Sequence, residues 1–274
     1  MTDPQDTTIL TTSRLSIGYR AHQQNSLVLS ADLNMSLKRG RVVGLLGPNG
    51  SGKSTLLRTL AGLQPALSGA VFVMGQHVKS NQVRQTARVL SVVLTGRIDV
   101  RNLTVIQLVA MGRYPYNNWL GRLGADDRKI IRRSLEQTYL WDLRDQMINE
   151  MSDGEQQRAL FAKALAQDTP LIILDEPTAH LDLPNRVSMM QLLRNLASET
   201  GKSILFSSHD LDLALQVADE LWLLKRGGTL ITGSPKELCE GTVFEDVFYS
   251  GSPISGQNFL NVYFQRLRNQ PPSQ

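Results

Sequence analysis

The first third of the chain is dominated by short apolar segments separated by polar or turn residues. Residues 32–37 alternate strictly between polar and apolar, which predicts a strand with one solvated face. Other apolar segments of strand length are found at 9–19, 41–46, 71–74 and 90–94. Because these strands precede most of the predicted helices, we expect a mixed β region beside a parallel core.

The middle of the chain changes from strands to helices. Apolar residues recur with helical spacing at 104–111 and 126–139, and an irregular segment at 112–120 separates the two helices. We interpret residues from about 96 to 166 as an inserted helical subdomain.

The irregular segment of this subdomain is rich in aromatic residues. Tyr114, Tyr116 and Trp119 either anchor a protein interface or cover the subdomain's own core. The sequence leaves both interpretations open.

An alternation of apolar strands and helices returns after the middle region. A helix at 153–166 precedes a buried strand at 171–174, and a helix at 184–198 follows it. The pattern continues with strands at 203–206 and 221–224, a helix at 210–218 and a hairpin strand at 230–231. This order is typical of a parallel α/β sheet. The patterns then weaken, so 241–274 is predicted to be a C-terminal extension whose end, 266–274, is disordered.

A glycine-rich segment joins the strand at 41–46 to a helix at 54–61 and has the spacing of a phosphate-binding loop. Its glycines permit backbone angles closed to other residues, so successive N–H groups can point into one concavity that suits an anion. Lys53 would bring a charge to the β- and γ-phosphates, and the Ser54 hydroxyl can ligate magnesium. A plain glycine-rich turn is the alternative, and the strand and helix on either side argue against it. We predict that a nucleoside triphosphate binds through Gly47, Pro48, Asn49, Gly50, Ser51, Gly52, Lys53, Ser54 and Thr55.

Two acidic residues follow the buried strand at 171–174, where open α/β sheets place their ligands. Asp175 can hold magnesium, directly or through water, and Glu176 can polarise a water for attack on the γ-phosphate. The strand at 203–206 leads to His209, which can donate a hydrogen bond to the same phosphate. The alternatives are a solvated turn for the two acids and a helix-start residue for His209.

Composition limits the class of protein. The chain carries 29 Lys and Arg against 25 Asp and Glu, a net charge of +4, and its basic residues are scattered, so we expect no nucleic-acid partner. The single cysteine, Cys239, excludes an internal disulfide and fits a reducing compartment. The sequence shows no signal peptide and no apolar segment of membrane-spanning length. We therefore expect a soluble, cytoplasmic protein that reaches a membrane only through a partner.

Further motifs follow the phosphate-binding loop in a fixed order: Met151-Ser-Asp-Gly-Glu155, Asp175-Glu176, Ala179-His-Leu-Asp182 and His209. With this order the chain resembles the nucleotide-binding subunits of ATP-binding cassette transporters over about residues 9–232. The first of these segments stands where that family has its Leu-Ser-Gly-Gly-Gln signature, and the third stands where it has a dimer-contact loop. The resemblance implies an α/β fold, a P-loop NTPase of ABC type. It also implies a mixed sheet core with an antiparallel β region and an inserted helical subdomain, within an ATPase domain over residues 1–240.

The same resemblance implies where ATP and Mg²⁺ bind. ATP would lie between two copies of the chain placed head to tail, against the phosphate-binding loop of one copy and against Ser152 and Gly154 of the other. Asp182 would lie at the dimer contact, and Tyr19 stands where the family places an aromatic ring that stacks on adenine. The remaining roles that the resemblance implies are Glu176, His209 and Lys53 for hydrolysis, and Ser54, Asp175 and Thr95 for the metal.

A shorter motif, Gly112-Arg-Tyr-Pro115, resembles the branch of the family that powers uptake of ferric siderophores, haem or cobalamin. This resemblance implies a peripheral subunit at the cytoplasmic face of the inner membrane. Its partners would be a polytopic permease and an extracytoplasmic substrate-binding protein. The alternative is a soluble, non-transport ABC ATPase that acts in assembly or regulation.

Three positions depart from the family pattern. Thr95 stands where the family normally has a glutamine that reaches magnesium and the attacking water. Asp153 and Glu155 replace a glycine and a glutamine of the signature. Because Ser152 and Glu155 have the spacing of a helix capping box, we expect the Glu155 carboxylate to turn back onto the Ser152 N–H. We expect the two added negative charges to oppose ATP-driven dimerisation.

Overall fold

The computed structural model describes residues 7–20, 26–96, 102–116, 122–240 and 242–248. Trp119 and the predicted disordered end, 266–274, lie outside these residues. The strands of the described part are β1 Thr8–Tyr19, β2 Leu27–Leu33, β3 Ser36–Lys38, β4 Val42–Leu46, β5 Ser68–Val73, β6 Gln76–His77, β7 Leu90–Val93, β8 Leu171–Leu174, β9 Ser203–Ser208, β10 Glu220–Leu224 and β11 Leu230–Gly233. Its α-helices are α1 Lys53–Leu60, α2 Val83–Thr86, α3 Val105–Ala110, α4 Ala125–Gln137, α5 Asp153–Ala166, α6 Leu183–Thr200, α7 Leu211–Val217, α8 Pro235–Glu240 and α9 Val243–Phe248. In this part of the chain no helix combines the length and the apolar composition that a bilayer span requires.

The central sheet contains six strands in the order β11-β10-β4-β9-β8-β7. Strands β10, β4, β9, β8 and β7 are parallel, and β11 pairs antiparallel with β10. Strands β4, β8 and β9 are buried along their whole length because both faces of the sheet are covered. Since the strands are parallel, the segments that follow β4, β7, β8 and β9 meet at one edge of the sheet. The predicted parallel α/β core is confirmed.

A second sheet covers one face of the central sheet. Its path runs β2-β1-β5-β6, with β3 also paired to β1, and all of these pairs are antiparallel. Its apolar residues share a core with α1 and the central sheet, and this core includes Leu10, Ile17, Leu56 and Trp222. The structure therefore confirms an antiparallel β region beside the parallel core.

The segment predicted as one strand at 32–37 is divided between two strands, so that prediction is wrong. β2 ends and β3 begins within it. Asp32, with a φ of 55° in the left-handed region, lies within β2 at an irregularity in its pairing with β1, and Asn34 and Met35 separate β2 from β3. The Asn34 side chain bridges the break, because its Oδ1 accepts from the Arg14 N–H at 2.8 Å and its Nδ2 donates to the Asp32 carbonyl at 3.0 Å.

Helices α3, α4 and α5 have a hydrophobic cluster of their own, which includes Val105, Val109, Ile131 and Leu135. The helices predicted in this region are confirmed. The capping box of α3, between Thr104 and Gln107, fixes where that helix begins.

Helices α6 to α9 cover the other face of the central sheet. Helix α9 was not predicted, because the sequence after residue 240 has no extended periodicity. Its Phe244 and Val247, three residues apart, are both buried, and Val243 and Phe248 pack beside them, so apolar contacts hold this short helix against the core.

Candidate active site

The glycine-rich loop between β4 and α1 is shaped by close backbone packing. A Cβ atom on Gly47 would lie 2.3 Å from the Leu224 carbonyl oxygen, so only glycine fits there. Gly52, with a φ of 102°, is the N-terminal cap of α1 and has no side chain to satisfy the first N–H groups of that helix. The buried Ser51 hydroxyl has no hydrogen-bond partner among the described residues. A phosphate group fits this loop, because its oxygens would satisfy both the free N–H groups and this hydroxyl.

Lys53 is buried at the start of α1. Its Nζ donates to the carbonyl oxygens of Gly47 at 2.8 Å and Pro48 at 3.3 Å. Burial lowers the pKa of Lys53, and the negative charges of Glu176 and Asp175 offset part of that effect. The loop therefore holds a cation beside the position predicted for the phosphates.

Asp175 connects the start of α1 with strand β9. Its buried carboxylate accepts hydrogen bonds on Oδ1 from the Ser54 hydroxyl at 3.2 Å and from the Ser207 hydroxyl at 2.7 Å. Carboxylate and hydroxyl oxygens are hard ligands, so the donor set of Ser54 and Asp175 fits Mg²⁺. The sequence alone does not indicate a role for Ser207, because its place beside Asp175 follows only from the pairing of β8 with β9.

Glu176 and His209 lie together at the edge of the site. The distance from His209 Nδ1 to Glu176 Oε2 is 3.6 Å, and both side chains are partly exposed to solvent. A carboxylate in this position is able to take a proton from water, and an imidazole beside it is able to donate a hydrogen bond to a ligand.

Tyr19 and Thr95 lie on either side of this group of residues. The Tyr19 hydroxyl lies 2.9 Å from Thr55 Oγ1, so the end of β1 is held against α1, and half of the ring is exposed. Stacking of this ring on adenine stays a prediction. The Thr95 hydroxyl donates to the backbone carbonyl of Asp175 at 2.8 Å. Its predicted role as a metal ligand also stays a prediction.

Ser152 and Glu155 form the predicted capping box at the start of α5. Glu155 Oε2 accepts from the Ser152 N–H at 2.9 Å and from the Ser152 hydroxyl at 2.7 Å, and the Glu155 N–H donates to Ser152 Oγ at 3.3 Å. The hydrogen bonds from the Ser152 side chain and backbone lower the pKa of Glu155, with a smaller contribution from the charge of Arg158. The proton of the Ser152 hydroxyl is therefore engaged within its own helix.

Three of the predicted residues lie apart from the phosphate-binding loop. Gly154 packs closely on Asn185 of α6, since a Cβ atom on it would lie 3.0 Å from that side chain. Asp182 caps the same helix by accepting from the Asn185 N–H at 3.1 Å. Within the described residues, the Ser152 side chain hydrogen-bonds with Glu155 of its own helix, and neither Ser152 nor Gly154 hydrogen-bonds with the loop. The predicted site residues therefore fall into two groups in the structure, one around Lys53 and one around Asn185.

Comparison of the sequence with known protein families identifies the family to which this site belongs. The sequence matches the family described as ABC transporter over residues 30–179, which include the phosphate-binding loop, the segment around Ser152 and the acids after β8. The chain belongs to the ABC transporter family. As an ATP-binding chain of this family, the protein is an ATPase.

Individual relatives cover nearly the whole chain. The iron(3+)-hydroxamate import ATP-binding protein FhuC of Bacillus subtilis is 36% identical over 245 residues, which cover 89% of each protein. The ferric enterobactin transport ATP-binding protein FepC of Escherichia coli is 32% identical over 235 residues, covering 86% of this chain and 85% of that protein. A solved structure described as a metal-chelate type ABC transporter in an inward-facing conformation has a TM-score of 0.76 at 26% identity, covering 89% of this chain and 90% of that one. The P-loop fold of ABC type is therefore confirmed.

Proposed function

We propose that this chain is the ATP-hydrolysing subunit of a membrane importer for iron–siderophore complexes, or for haem or cobalamin. The observation that carries the proposal is the identity of 36% to an iron(3+)-hydroxamate import ATP-binding protein over 89% of both chains. The alternative of a soluble, non-transport ATPase has no comparable support among these relatives. We further propose that the chain is peripheral, at the cytoplasmic face of the membrane, and is served by a permease and a substrate-binding protein.

The roles of the site residues follow from their chemistry. The phosphate-binding loop and Lys53 bind the phosphates of ATP, and Tyr19 covers the adenine. Ser54 and Asp175 hold Mg²⁺, which supplies charge neutralisation of the phosphate oxygens when bound. Glu176 takes a proton from the attacking water, while His209 donates a hydrogen bond to the γ-phosphate.

We also propose a head-to-tail homodimer in which the second copy completes each site. The exposure of Ser152 at the start of α5 supports this arrangement, because an exposed residue is accessible to a second copy. Ser152 and Gly154 of one copy would then face the γ-phosphate held by the other, with Asp182 at the contact. For Ser152 to donate to that phosphate, its hydroxyl must leave Glu155.

The charge of Asp153 provides a test of this dimer. Asp153 is exposed at the start of α5, and together with Glu176 it lines a small cavity of about 30 Å³. We expect Asp153→Gly to strengthen ATP-dependent dimerisation by about fivefold at low salt, since roughly 1 kcal/mol of repulsion between partly solvated charges would be removed. The measurement is the dimer fraction against ionic strength by analytical ultracentrifugation, in a Glu176→Gln background that retains ATP.

Asp153→Asn is the matched control for this experiment, because it removes the charge and keeps the shape of the side chain. Both variants should strengthen the dimer, and the gain should decrease as salt increases. A gain in Asp153→Gly alone, or a gain independent of salt, would show that the Asp153 charge does not act on the phosphate.

Contacts within the described residues favour different roles for Tyr116 and Tyr114 of the aromatic segment. Tyr116 covers its own subdomain, because its ring packs on the Arg113 guanidinium at 4.1 Å from the ring centroid. Arg113 is buried and binds Asp127 and the Ala166 carbonyl, so it fixes this segment against α4 and α5. Tyr114, by contrast, is 62% exposed. We propose that Tyr114 is a contact for the permease.

Variants of Tyr114 test both the docking surface and the importer function. We expect Tyr114→Ala to leave the ATPase rate of the isolated subunit unchanged and to reduce its stimulation by the membrane partner by about fivefold or more, as for an exposed aromatic anchor. Tyr139→Ala is the matched control, because Tyr139 is 78% exposed and lies beyond the far end of α4.

The membrane partner is the polytopic protein that co-purifies with the affinity-tagged chain from detergent-solubilised membranes. Co-purification of such a protein, with Tyr114-dependent stimulation, supports the importer. If only soluble proteins co-purified with the tagged chain, the result would instead support an ATPase that acts in assembly or regulation. Equal stimulation of the wild type and of Tyr114→Ala would show that Tyr114 is not part of the interface with the membrane partner.

A further inference from the structure

The peptide group between Asp175 and Glu176 is hydrogen-bonded at both ends by hydroxyl side chains. Its carbonyl oxygen accepts from the Thr95 hydroxyl at 2.8 Å. Its N–H, which belongs to Glu176, donates to Ser207 Oγ at 2.9 Å. Thr95 lies just after β7 and Ser207 lies in β9, and these two strands flank β8 in the sheet. The peptide is thus held from both neighbouring strands.

This peptide leads into an unfavourable backbone conformation. Glu176 has a φ of 49°, in the left-handed region that residues other than glycine rarely adopt. Such conformations persist where surrounding contacts hold them, and they are concentrated at functional sites. If the peptide were released, the φ of Glu176 would be able to relax towards negative values, and a change in φ that the ψ of Asp175 did not compensate would turn the Cα–Cβ bond of Glu176. The position of the Glu176 carboxylate therefore depends on the two hydroxyl contacts.

We infer that Thr95 is a positioning residue for Glu176, acting through the carbonyl of Asp175 rather than by touching the substrate or the metal. The inference rests on the proposed role of Glu176 in hydrolysis, and it does not depend on the identity of the transported molecule. Ser207 holds the other end of the peptide, but it also donates to the Asp175 carboxylate at 2.7 Å. A substitution of Thr95 therefore removes a hydrogen bond to the peptide without removing one to the Asp175 carboxylate.

Two substitutions of Thr95 separate its hydroxyl from its shape. Thr95→Val keeps the branched side chain and removes the donor, whereas Thr95→Ser keeps the donor. The matched control is Thr169→Val, because the buried Thr169 hydroxyl donates to the Leu171 carbonyl at 2.9 Å, at the opposite end of β8. Both valine variants lose one hydroxyl-to-carbonyl hydrogen bond, at opposite ends of β8, so a general loss of stability would affect them alike.

The first measurement is steady-state ATPase activity. We expect Thr95→Val to lower kcat about tenfold with KM for ATP within about twofold, because a misplaced general base slows the chemical step without weakening binding. Thr95→Ser and Thr169→Val should retain kcat within about twofold. The Mg²⁺ concentration for half-maximal activity should stay unchanged in Thr95→Val, whereas loss of a metal ligand would increase it.

The second measurement is amide hydrogen exchange of the nucleotide-free protein, which reports on the peptide without any reaction. Exchange of the Glu176 amide should become about tenfold faster in Thr95→Val and should not change in Thr95→Ser or Thr169→Val. Unchanged exchange and kcat in Thr95→Val, or an equal loss in Thr169→Val, would overturn the inference. Faster exchange of the Glu176 amide with unchanged kcat would show that the hydrogen bond from Thr95 does not position Glu176 for hydrolysis. If Glu176→Gln still hydrolysed ATP, the proposed base role would fail even with the exchange result intact.

Discussion

Replacing Glu176 by glutamine is expected to lower ATP hydrolysis at least about 100-fold while ATP affinity stays within about twofold. The amide has the shape of the carboxylate but cannot take a proton from water. The phosphate-binding loop, Lys53 and the Ser54–Asp175 pair remain intact, so the groups proposed to bind ATP and Mg²⁺ are unchanged. We therefore expect an ATP-bound dimer to accumulate. Single-turnover hydrolysis, equilibrium ATP binding and analytical ultracentrifugation measure the three quantities.

The control for this variant is Glu199→Gln, which makes the same chemical change on the exposed surface of α6. It should retain wild-type hydrolysis. Hydrolysis by Glu176→Gln within about tenfold of the wild-type rate would exclude Glu176 as the general base. A large loss of ATP affinity would show instead that Glu176 supports the binding site.

Removal of the Lys53 side chain is expected to weaken ATP binding about 10- to 100-fold, because hydrogen bonds to charged groups contribute about 1.5–3 kcal/mol. Lys53→Ala removes the cation that faces the phosphates. It also removes the hydrogen bonds that Nζ donates to the carbonyls of Gly47 and Pro48, which brace the loop. Isothermal titration calorimetry with ATP, without hydrolysis, measures this effect.

Lys202→Ala is the matched control for the loop lysine. Lys202 also bridges a charged group and a backbone carbonyl, since its Nζ donates to Asp168 at 2.8 Å and to the Thr169 carbonyl at 3.0 Å, away from the loop. Its loss should leave ATP affinity unchanged. Equal affinities of Lys53→Ala and the wild type would contradict the assignment of the phosphate site.

The parts of the site that the sequence predicts are those that lie within one local segment. The phosphate-binding loop depends on spacing within 47–55, and the capping box depends on two residues three positions apart. The capping box is confirmed, and phosphate binding by the loop stays a prediction; in both cases the geometry follows from the start of a single helix.

The features that escaped prediction arise from contacts between distant segments. Ser207 reaches Asp175 only because β9 pairs with β8, and sequence spacing does not reveal that register. Gly154 meets Asn185 through the packing of α5 on α6. In the same way, the segment whose alternation predicted one continuous strand is interrupted at Asn34 and Met35, where the Asn34 side chain accepts from the Arg14 N–H of β1.

The central claim is that ATP hydrolysis by this chain drives uptake of an iron chelate. The most direct measurement uses proteoliposomes that contain the co-purifying membrane partner, with this chain and ATP enclosed and with the substrate-binding protein and labelled ferric hydroxamate outside. We expect accumulation above the external concentration, abolished when the enclosed chain carries Glu176→Gln. The claim would be contradicted if active ATPase produced no accumulation of ferric hydroxamate, ferric catecholate, haem or cobalamin.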